Sequence, residues 1–383
     1  MPDLFNRIIE FIKALYPNQS PIPLHEPRFI GNEKKYLNQC IESTYVSYLG
    51  KFVGRFENMI KDYTGAKYAI ATANGTLALH AALILAGVKL GDEVLTQALT
   101  FVATANSISH CGAKPVFIDS EQKTLGMSPE KLEEFLKNET IIKDDGFCYN
   151  KDTGRKISAC IPMHVFGHSV RIDEILNICN KYHMTVIEDA AESLGSFYKE
   201  KYTGTFGKMG ILSFNGNKII TTGGGGMIIT DDENIAKQAK HITATAKIPH
   251  KWEFIHDKVG YNYRMPNVNA AIGCAQMESL QKYLDNKRET AALYKDFFNE
   301  LGITFLVEPE GCRSNYWLNA IILKDRAQRD EFLEYCYNNR VMSRPVWTLM
   351  NKLPMYKDCQ HTNLENAQWL EDRTVNIPSS VRA

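Results

Sequence analysis

Charge of either sign in excess is missing from this chain. Its 383 residues carry 44 basic and 44 acidic side chains, for a formal net charge of zero. Bulk attraction to nucleic acid or to an anionic membrane is therefore not implied, although a local patch still suffices to bind a phosphate group. Long apolar runs are missing too, and no stretch approaches the roughly 18 to 20 residues of a membrane span. The opening residues, MPDLFNRIIEFIKALYPNQ, are amphipathic and carry acids; they lack the basic start, apolar stretch and small-residue cleavage site of a secretory signal. The nine cysteines are odd in number and include no CxxC pair. That argues against a disulfide framework and for a cytoplasmic protein. Internal repeats and low-complexity segments are absent. So are GxxxxGK[ST] and a GxGxxG between a first strand and its helix, which disfavours kinase and dehydrogenase readings. His164 and His168 are four apart, but VFG between them does not read as helix and includes no acid, so no metal site is expected.

What is present is an alternation. KYAIATA (67–73), DEVLTQ, KPVFID, ISACIPMHVF and MTVIED read as strands, and helical patterns separate most of them. The run TLALHAALILAG (76–87) is nearly all apolar, as a buried helix is. This order predicts a mostly parallel sheet covered on both faces. Residues 4–16 predict a short helix with Phe5, Ile8, Ile9, Ile12 and Leu15 on one face, followed by an arm broken by Pro17, Pro21 and Pro23. Residues 138–156, NETIIKDDGFCYNKDTGRK, are polar and turn-rich and read as a surface excursion. Beyond about residue 232 the texture changes. A long helical pattern over 267–301 precedes the strand-like ITFLV and YWLNAIIL and the helical AQRDEFLEYCYNN. A chain of this length accommodates two domains. We expect a helix and arm at 1–30, a large α/β domain at 31–250 and a smaller α+β domain at 251–383.

Lys218 is the residue that best distinguishes this sequence. It lies in GILSFNGNKIITTGGGG (210–226), between a strand-like run and four glycines. A lysine closing a strand usually keeps its charge in solvent. Here Ser213, Asn215 and Asn217 surround it with polar groups, and Gly223 to Gly226 allow backbone to approach a ligand closely. Asp189 ends the strand MTVIED and points toward the carboxyl edge where open α/β sheets bind ligands; a helix N-cap or a metal ligand is the alternative. One lysine and one aspartate at strand ends are what a pyridoxal phosphate enzyme needs: an amine to form the Schiff base and a carboxylate to keep the pyridine nitrogen protonated. Asn74-Gly75-Thr76 follows a strand and opens a helix, which suits either phosphate binding or plain capping. Phe101 opens the helical FVATANSIS, placed either to stack on a cofactor ring or to pack in the core.

Taken in order, these segments resemble the DegT/StrS family of pyridoxal phosphate-dependent sugar aminotransferases, from about residue 24 to the C-terminus. The resemblance rests on GRFENMIKDYTGAKYAIATANGTLALHAAL, GDEVLTQALTFVATANSI, PMHVFGH, VIEDAAESLGS, GTFGKMGILSFNGNKIITTGGGGM and VGYNYRMPNVNAAIGCAQ. It implies the type I aspartate aminotransferase fold, α/β, with a mostly parallel seven-stranded sheet in the large domain and a smaller C-terminal α+β domain. It also implies roles. Lys218 is the Schiff-base lysine and proton shuttle, and Asp189 pairs with the ring nitrogen. Phe101 stacks on the ring, while Asn74, Gly75, Thr76 and Ser213 form the phosphate end of the cofactor site. Asn262, in GYNYRM, reaches the cofactor phosphate of a neighbouring subunit, which implies a homodimer with shared active sites. Glu192 falls near the cofactor hydroxyl, where many members carry glutamine or histidine.

That glutamate, the phrase SFNGNKIITTGGGGM and the N-terminal helix resemble the branch making bacillosamine and legionaminic acid precursors. The implied reaction moves an amine from glutamate to C4 of a nucleotide-linked 4-keto-6-deoxy sugar bearing a 2-acetamido group. The cofactor alternates between pyridoxal and pyridoxamine 5′-phosphate in a ping-pong cycle. His164, Arg264 and Arg344 are the candidate contacts to the sugar nucleotide, Arg264 with a structural ion pair as its alternative. Transamination at C3 and a non-catalytic regulator of the same fold are the competing readings. A 3-dehydratase is disfavoured, because relatives that dehydrate carry histidine in place of the Schiff-base lysine.

Overall fold

A computed structural model describes residues 2–382; residues 1 and 383, the outermost of the expected segments, lie outside the described residues. The strand signals become a seven-stranded sheet of β1 (Tyr68–Thr72), β2 (Glu93–Gln97), β3 (Lys114–Ile118), β4 (Ile157–Ile161), β5 (Thr185–Asp189), β6 (Met209–Ser213) and β7 (Gly226–Thr230). Its order is β1-β7-β6-β5-β4-β2-β3. β7 pairs antiparallel with both β1 and β6, and the other pairs are parallel. A mostly parallel sheet of seven strands is what the resemblance implies. Pro162 ends β4, so the strand is shorter than ISACIPMHVF suggests.

Side chains alternate across the sheet as the pleat requires. Ala69, Ala71, Leu212, Met227 and Ile229 enter one core with Phe52 and Phe56, while Ile70, Ile211 and Ile228 enter another with Leu79 and Ala82. The helices that cover these faces and continue the chain are α1 (Pro2–Leu15), α2 (Glu33–Ser43), α3 (Lys51–Thr64), α4 (Gly75–Leu85), α5 (Val102–His110), α6 (Pro129–Glu139), α7 (Ile172–Lys181), α8 (Glu233–Thr243), α9 (Asn267–Glu300), α10 (Arg326–Asn338) and α11 (Glu365–Glu371). α4 is apolar around most of its circumference because β6, β7, α5 and α8 enclose it: Ala78, Leu79, Ala82 and Leu83 are all buried among sheet and helix residues.

α9 belongs to two cores at once. Ala270, Ala271, Cys274 and Tyr283 pack with Phe52, Phe56, Phe214 and Ile219, whereas Ala291, Tyr294 and Phe298 pack with α1. The strands Thr304–Phe305, Asn319–Ile322, Thr374–Ile377 and Arg344–Pro345 form an antiparallel sheet in that order. α1 docks beside it, with the Phe5 ring 5.2 Å from Phe332 of α10 and Phe11 stacked on Phe297 at 3.9 Å.

The polar segment 138–156 is tied down more firmly than a surface excursion. Thr140–Ile142 and Cys148–Asn150 form a hairpin. Beyond it, Asn150 Nδ2 and Thr153 Oγ1 donate to the two oxygens of buried Glu93 at 2.7 and 2.8 Å, satisfying a carboxylate at the start of β2.

Candidate active site

β5 and β6 are parallel neighbours, with Asp189 in register with Ile211, so Asp189 and Ser213 stand at the same carboxyl edge of the sheet. From Ser213 the chain turns through Asn215 to Lys218, whose N–H donates to the Asn215 carbonyl at 3.0 Å. Phe214 anchors this turn, packed edge-on against Phe56 with centroids 4.8 Å apart. The Lys218 side chain is only 12% exposed, and its Nζ lies 3.1 Å from Glu192 Oε1. Its charge is therefore not held in solvent.

Glu192 is buried, and burial pushes its carboxyl up to about 7 against the opposing charge of Lys218 and the Phe166 N–H. Burial also raises the Asp189 carboxyl, opposed by the Thr104 hydroxyl, the Ala191 N–H and the charges of Lys218 and His164. Its direct partners are neutral: Thr104 Oγ1 donates to Oδ2 at 2.7 Å and Ala191 N to Oδ1 at 3.2 Å. A buried carboxylate of this kind gains from a cationic partner.

On the other side, Asn74 caps α4 by accepting from the Leu77 N–H at 2.9 Å. The capping alternative is thus true of Asn74, but it leaves the preceding N–H groups of the helix for an anion. A Cβ on Gly75 would lie 3.1 Å from Ser213 Cβ and 3.3 Å from its Oγ, so glycine lets the serine hydroxyl close on the helix start without displacement. The glycine run divides in two. A Cβ on Gly226 would sit 2.4 Å from the Asn74 carbonyl carbon, and one on Gly225 would sit 2.2 Å from Thr222 Oγ1. These two glycines admit neighbouring protein, whereas a Cβ on Gly223 or Gly224 would meet nothing nearer than 3.8 or 3.7 Å. Phe101 is 47% exposed at the start of α5, its nearest aromatic neighbour being Trp347 at 6.1 Å, which leaves a ring face free and sets aside core packing.

The remaining candidates disperse. His164 is fully buried: Nε2 pairs with Glu188 Oε2 at 3.0 Å and Nδ1 accepts from Val170 N at 3.3 Å, so this ring is no substrate contact but a support beneath Asp189. Arg264 makes the structural alternative, an ion pair with Glu57 at 3.3 Å. Arg344 is exposed on an edge strand and lines a cavity of about 670 Å³ with Pro21, Tyr337 and Arg340. Asn262 is exposed, bridged to Ala244, one strand step from the pairing of Arg264 with Thr72. Among the described residues, no group of three or more His, Cys, Asp or Glu side chains is arranged to hold a metal ion.

Three contributors escaped the sequence reading. Thr104 aims Asp189; Trp317 lies under the lysine, with Nζ 3.9 Å from its ring centroid. Buried Asn315 joins Trp317 to Glu192. Thr104 lies in the first turn of α5, inside the segment GDEVLTQALTFVATANSI, but nothing in that segment singles it out; Trp317 and Asn315 come from about a hundred residues downstream of Lys218, so only tertiary structure identifies them.

The donor set fits pyridoxal phosphate. A sheltered lysine, a buried aspartate without a direct cation, an open aromatic face and a helix start closed by a serine hydroxyl are the four features that group requires.

Known proteins agree. The model of the DegT/DnrJ/EryC1/StrS aminotransferase family matches residues 27–382. The chain is 36% identical to the GDP-perosamine synthase of Escherichia coli O157:H7 over 94% of this chain and 93% of that one. It is 35% identical to the GDP-perosamine synthase of Vibrio cholerae over 94% of each. Among solved structures it is similar to Helicobacter pylori PseC, an aminotransferase involved in pseudoaminic acid biosynthesis, with a TM-score of 0.84, 21% identity and 94% of each chain covered. At that identity the likeness speaks for the fold alone.

Proposed function

Because this chain belongs to the DegT/DnrJ/EryC1/StrS aminotransferase family, and so is a pyridoxal phosphate-dependent sugar aminotransferase, we propose that it moves the amino group of glutamate to C4 of a nucleotide-linked 4-keto-6-deoxy sugar. The sugar we favour is a UDP-linked 2-acetamido-2,6-dideoxy-hexos-4-ulose, as in bacillosamine- or legionaminic-acid-type glycan biosynthesis. The observation that carries amine transfer is the Lys218 amine itself, sheltered at 12% exposure beside Glu192 near the carboxyl ends of β5 and β6. Lysine here favours amine transfer over dehydration.

When bound, pyridoxal phosphate supplies an aldehyde to take up the amine and a protonated ring that draws electron density from the carbon losing its proton. The residues of this chain do the rest. Lys218 Nζ would anchor the cofactor covalently and, once displaced by the donor's amine, would act as the base that moves the donor's α-carbon proton across within that half of the cycle; the second half would run the same transfer in reverse. Asp189, fixed by Thr104 and the Ala191 N–H, holds the proton on the ring nitrogen. The Phe101 ring covers one face. The helix start at Gly75-Thr76, capped by Asn74, and the Ser213 hydroxyl hold the phosphate.

A second copy of the chain completes the site in this reading, by bringing its Asn262 to the phosphate. In support, Asn262 is exposed and follows a segment whose Trp252, Phe254 and Val259 are 74%, 79% and 86% exposed, apolar surface that association covers. Nine free thiols, six of them buried, suit the cytoplasm.

A GDP-linked substrate is the second reading, favoured by the names of the two relatives above. Incubation with glutamate and a panel of UDP- and GDP-linked 4-keto sugars, read by mass spectrometry, separates the two. Amination of the UDP-linked acetamido sugar alone supports the first, and amination of GDP sugars alone overturns it. Product NMR distinguishes C4 from C3.

A further inference from the structure

The surroundings of Lys218 form a rigid seat. Glu192 Oε1 lies 3.1 Å from Nζ, and the other carboxyl oxygen accepts the Phe166 N–H at 2.9 Å. The indole of Trp317 lies beneath Nζ at 3.9 Å from its centroid. Trp317 is itself locked, because its Nε1–H donates to the Asn217 carbonyl at 2.6 Å, one residue before the lysine. Asn315 then ties both walls together. Its Nδ2 donates to the Glu192 and Leu194 carbonyls, each at 2.9 Å, and its Oδ1 accepts the Trp317 N–H at 2.8 Å. Gly167 leaves room for this amide, since a Cβ there would fall 1.9 Å from Asn315 Oδ1.

An amine bonded to the cofactor for part of each cycle needs a defined place for the remainder. An indole face beside a carboxylate, both desolvated, binds an ammonium and holds a neutral amine far less well. We propose that Trp317 is a positioning residue for Lys218: with Glu192 it forms a seat that holds the Lys218 ammonium whenever the amine is covalently free, and that releases it when a proton passes from Nζ to Glu192 Oε1. In that step one N–H bond breaks and one O–H bond forms, leaving a neutral amine and a neutral carboxylic acid. Nothing is oxidised or reduced. Burial of Glu192 favours its protonated form and so assists the transfer. The proposal rests on the amine-transfer chemistry but not on which sugar accepts the amine.

The test is chemical labelling of Lys218 in the full-length protein reconstituted with pyridoxamine 5′-phosphate, the state in which the amine is covalently free. Acetylation by an N-hydroxysuccinimide ester is followed by peptide mass spectrometry, with exposed Lys34 as internal reference. Seating protects the amine, so Trp317→Leu and Glu192→Gln each raise the Lys218 labelling rate about tenfold relative to Lys34, and Trp317→Phe, which keeps an aromatic face, raises it much less. An equal rise in the Phe and Leu variants assigns the effect to lost packing and overturns the proposal. Unchanged labelling in Glu192→Gln also overturns it. Should the Leu variant fail to fold, Trp317→Phe and Glu192→Gln decide: Gln labelled faster with Phe near wild type supports the seat, and Phe labelled as fast as Gln overturns it.

Discussion

The carboxylate of Glu188 and the imidazole of His164 meet at 3.0 Å in an interior where neither side chain is exposed to solvent. Glu188 also accepts the N–H groups of Gly204, Phe206 and Gly207 at 2.8, 2.6 and 2.7 Å. One carboxylate thus fastens the loop before β6 to the turn that supports Asp189. Glu188→Ala leaves these donors without a partner and is expected to cost about 3 kcal/mol of stability. Urea denaturation measures this. His164→Asn is expected to lower stability while leaving the KM for the sugar nucleotide near wild type; a large rise in KM alone would restore His164 as a substrate contact.

Thr104→Val removes a hydroxyl that holds Asp189 at 2.7 Å. With the carboxyl already raised by burial, the loss of a donor raises it further and leaves the side chain free to turn away from the ring nitrogen. We expect kcat to fall about tenfold, as for one lost hydrogen bond to a charged group, with little change in the KM for glutamate. The bound cofactor's absorbance, titrated against pH, should shift in the same variant; an unchanged titration counts against Thr104 acting through Asp189.

Glu192 gives the cofactor-free protein a pH-dependent stability. Its folded value, about 7, exceeds the ordinary 4.5, so the folded state binds more protons over that interval. Stability contributed by the neutral form is present below the unfolded value and is lost as pH rises through about 7. At 1.36 kcal/mol per pH unit the loss is roughly 3 kcal/mol. Glu192→Gln removes this slope, so its stability relative to wild type should improve between pH 5 and pH 8. Parallel melting curves across that range would contradict the assignment.

Lys287 carries the opposite sign. It is buried on α9, donates to the Ser379 carbonyl, and burial lowers its amine to about 7 from 10.5. The charged form is penalised in the folded state, fully below about pH 7, and the penalty fades as pH rises toward 10.5. Lys287→Met, which fills nearly the same volume, should therefore raise Tm, more at pH 6 than at pH 9. Differential scanning calorimetry at the two pH values checks both the sign and the trend.

Gly226→Ala places a methyl group 2.4 Å from the Asn74 carbonyl carbon and 2.7 Å from the Gly75 nitrogen. The start of α4 has to move, and with it the N–H groups aimed at the cofactor phosphate. Affinity for pyridoxal phosphate should fall at least about tenfold, consistent with misplaced hydrogen bonds to a charged group. Fluorescence titration of the cofactor-free protein measures it, and wild-type affinity would show that α4 tolerates the displacement.

Local signals were enough for much of this molecule. β1 to β6 were legible because both faces of the sheet are buried, so strands read as apolar runs ended by turn residues. Lys218 and Asp189 were legible because each stands where an apolar strand stops. The glycine run was legible only in part, because the sequence shows that backbone comes close to something without showing what; for Gly226 it is Asn74 and for Gly225 it is Thr222. His164 was misread because a histidine after a strand has the same signature whether it faces ligand or a buried glutamate. Trp317 and Asn315 carry no local mark, and their roles arise from contact with residues about a hundred positions away. Arg264 was legible only as a choice, and in the fold it is paired with Glu57.

α1 has a consequence for how the chain is made. Its apolar face, Phe5, Ile8, Ile9 and Ile12, finds its docking surface only on α9, α10 and the sheet that ends at Ile377. At usual synthesis rates of 5–20 residues per second, roughly 15 s to a minute separates the making of Phe5 from that of Phe332. Through that interval the nascent chain displays a greasy stripe with nowhere to go, while the helices and strands of the central sheet can already assemble. α1 is therefore among the last elements to reach its place.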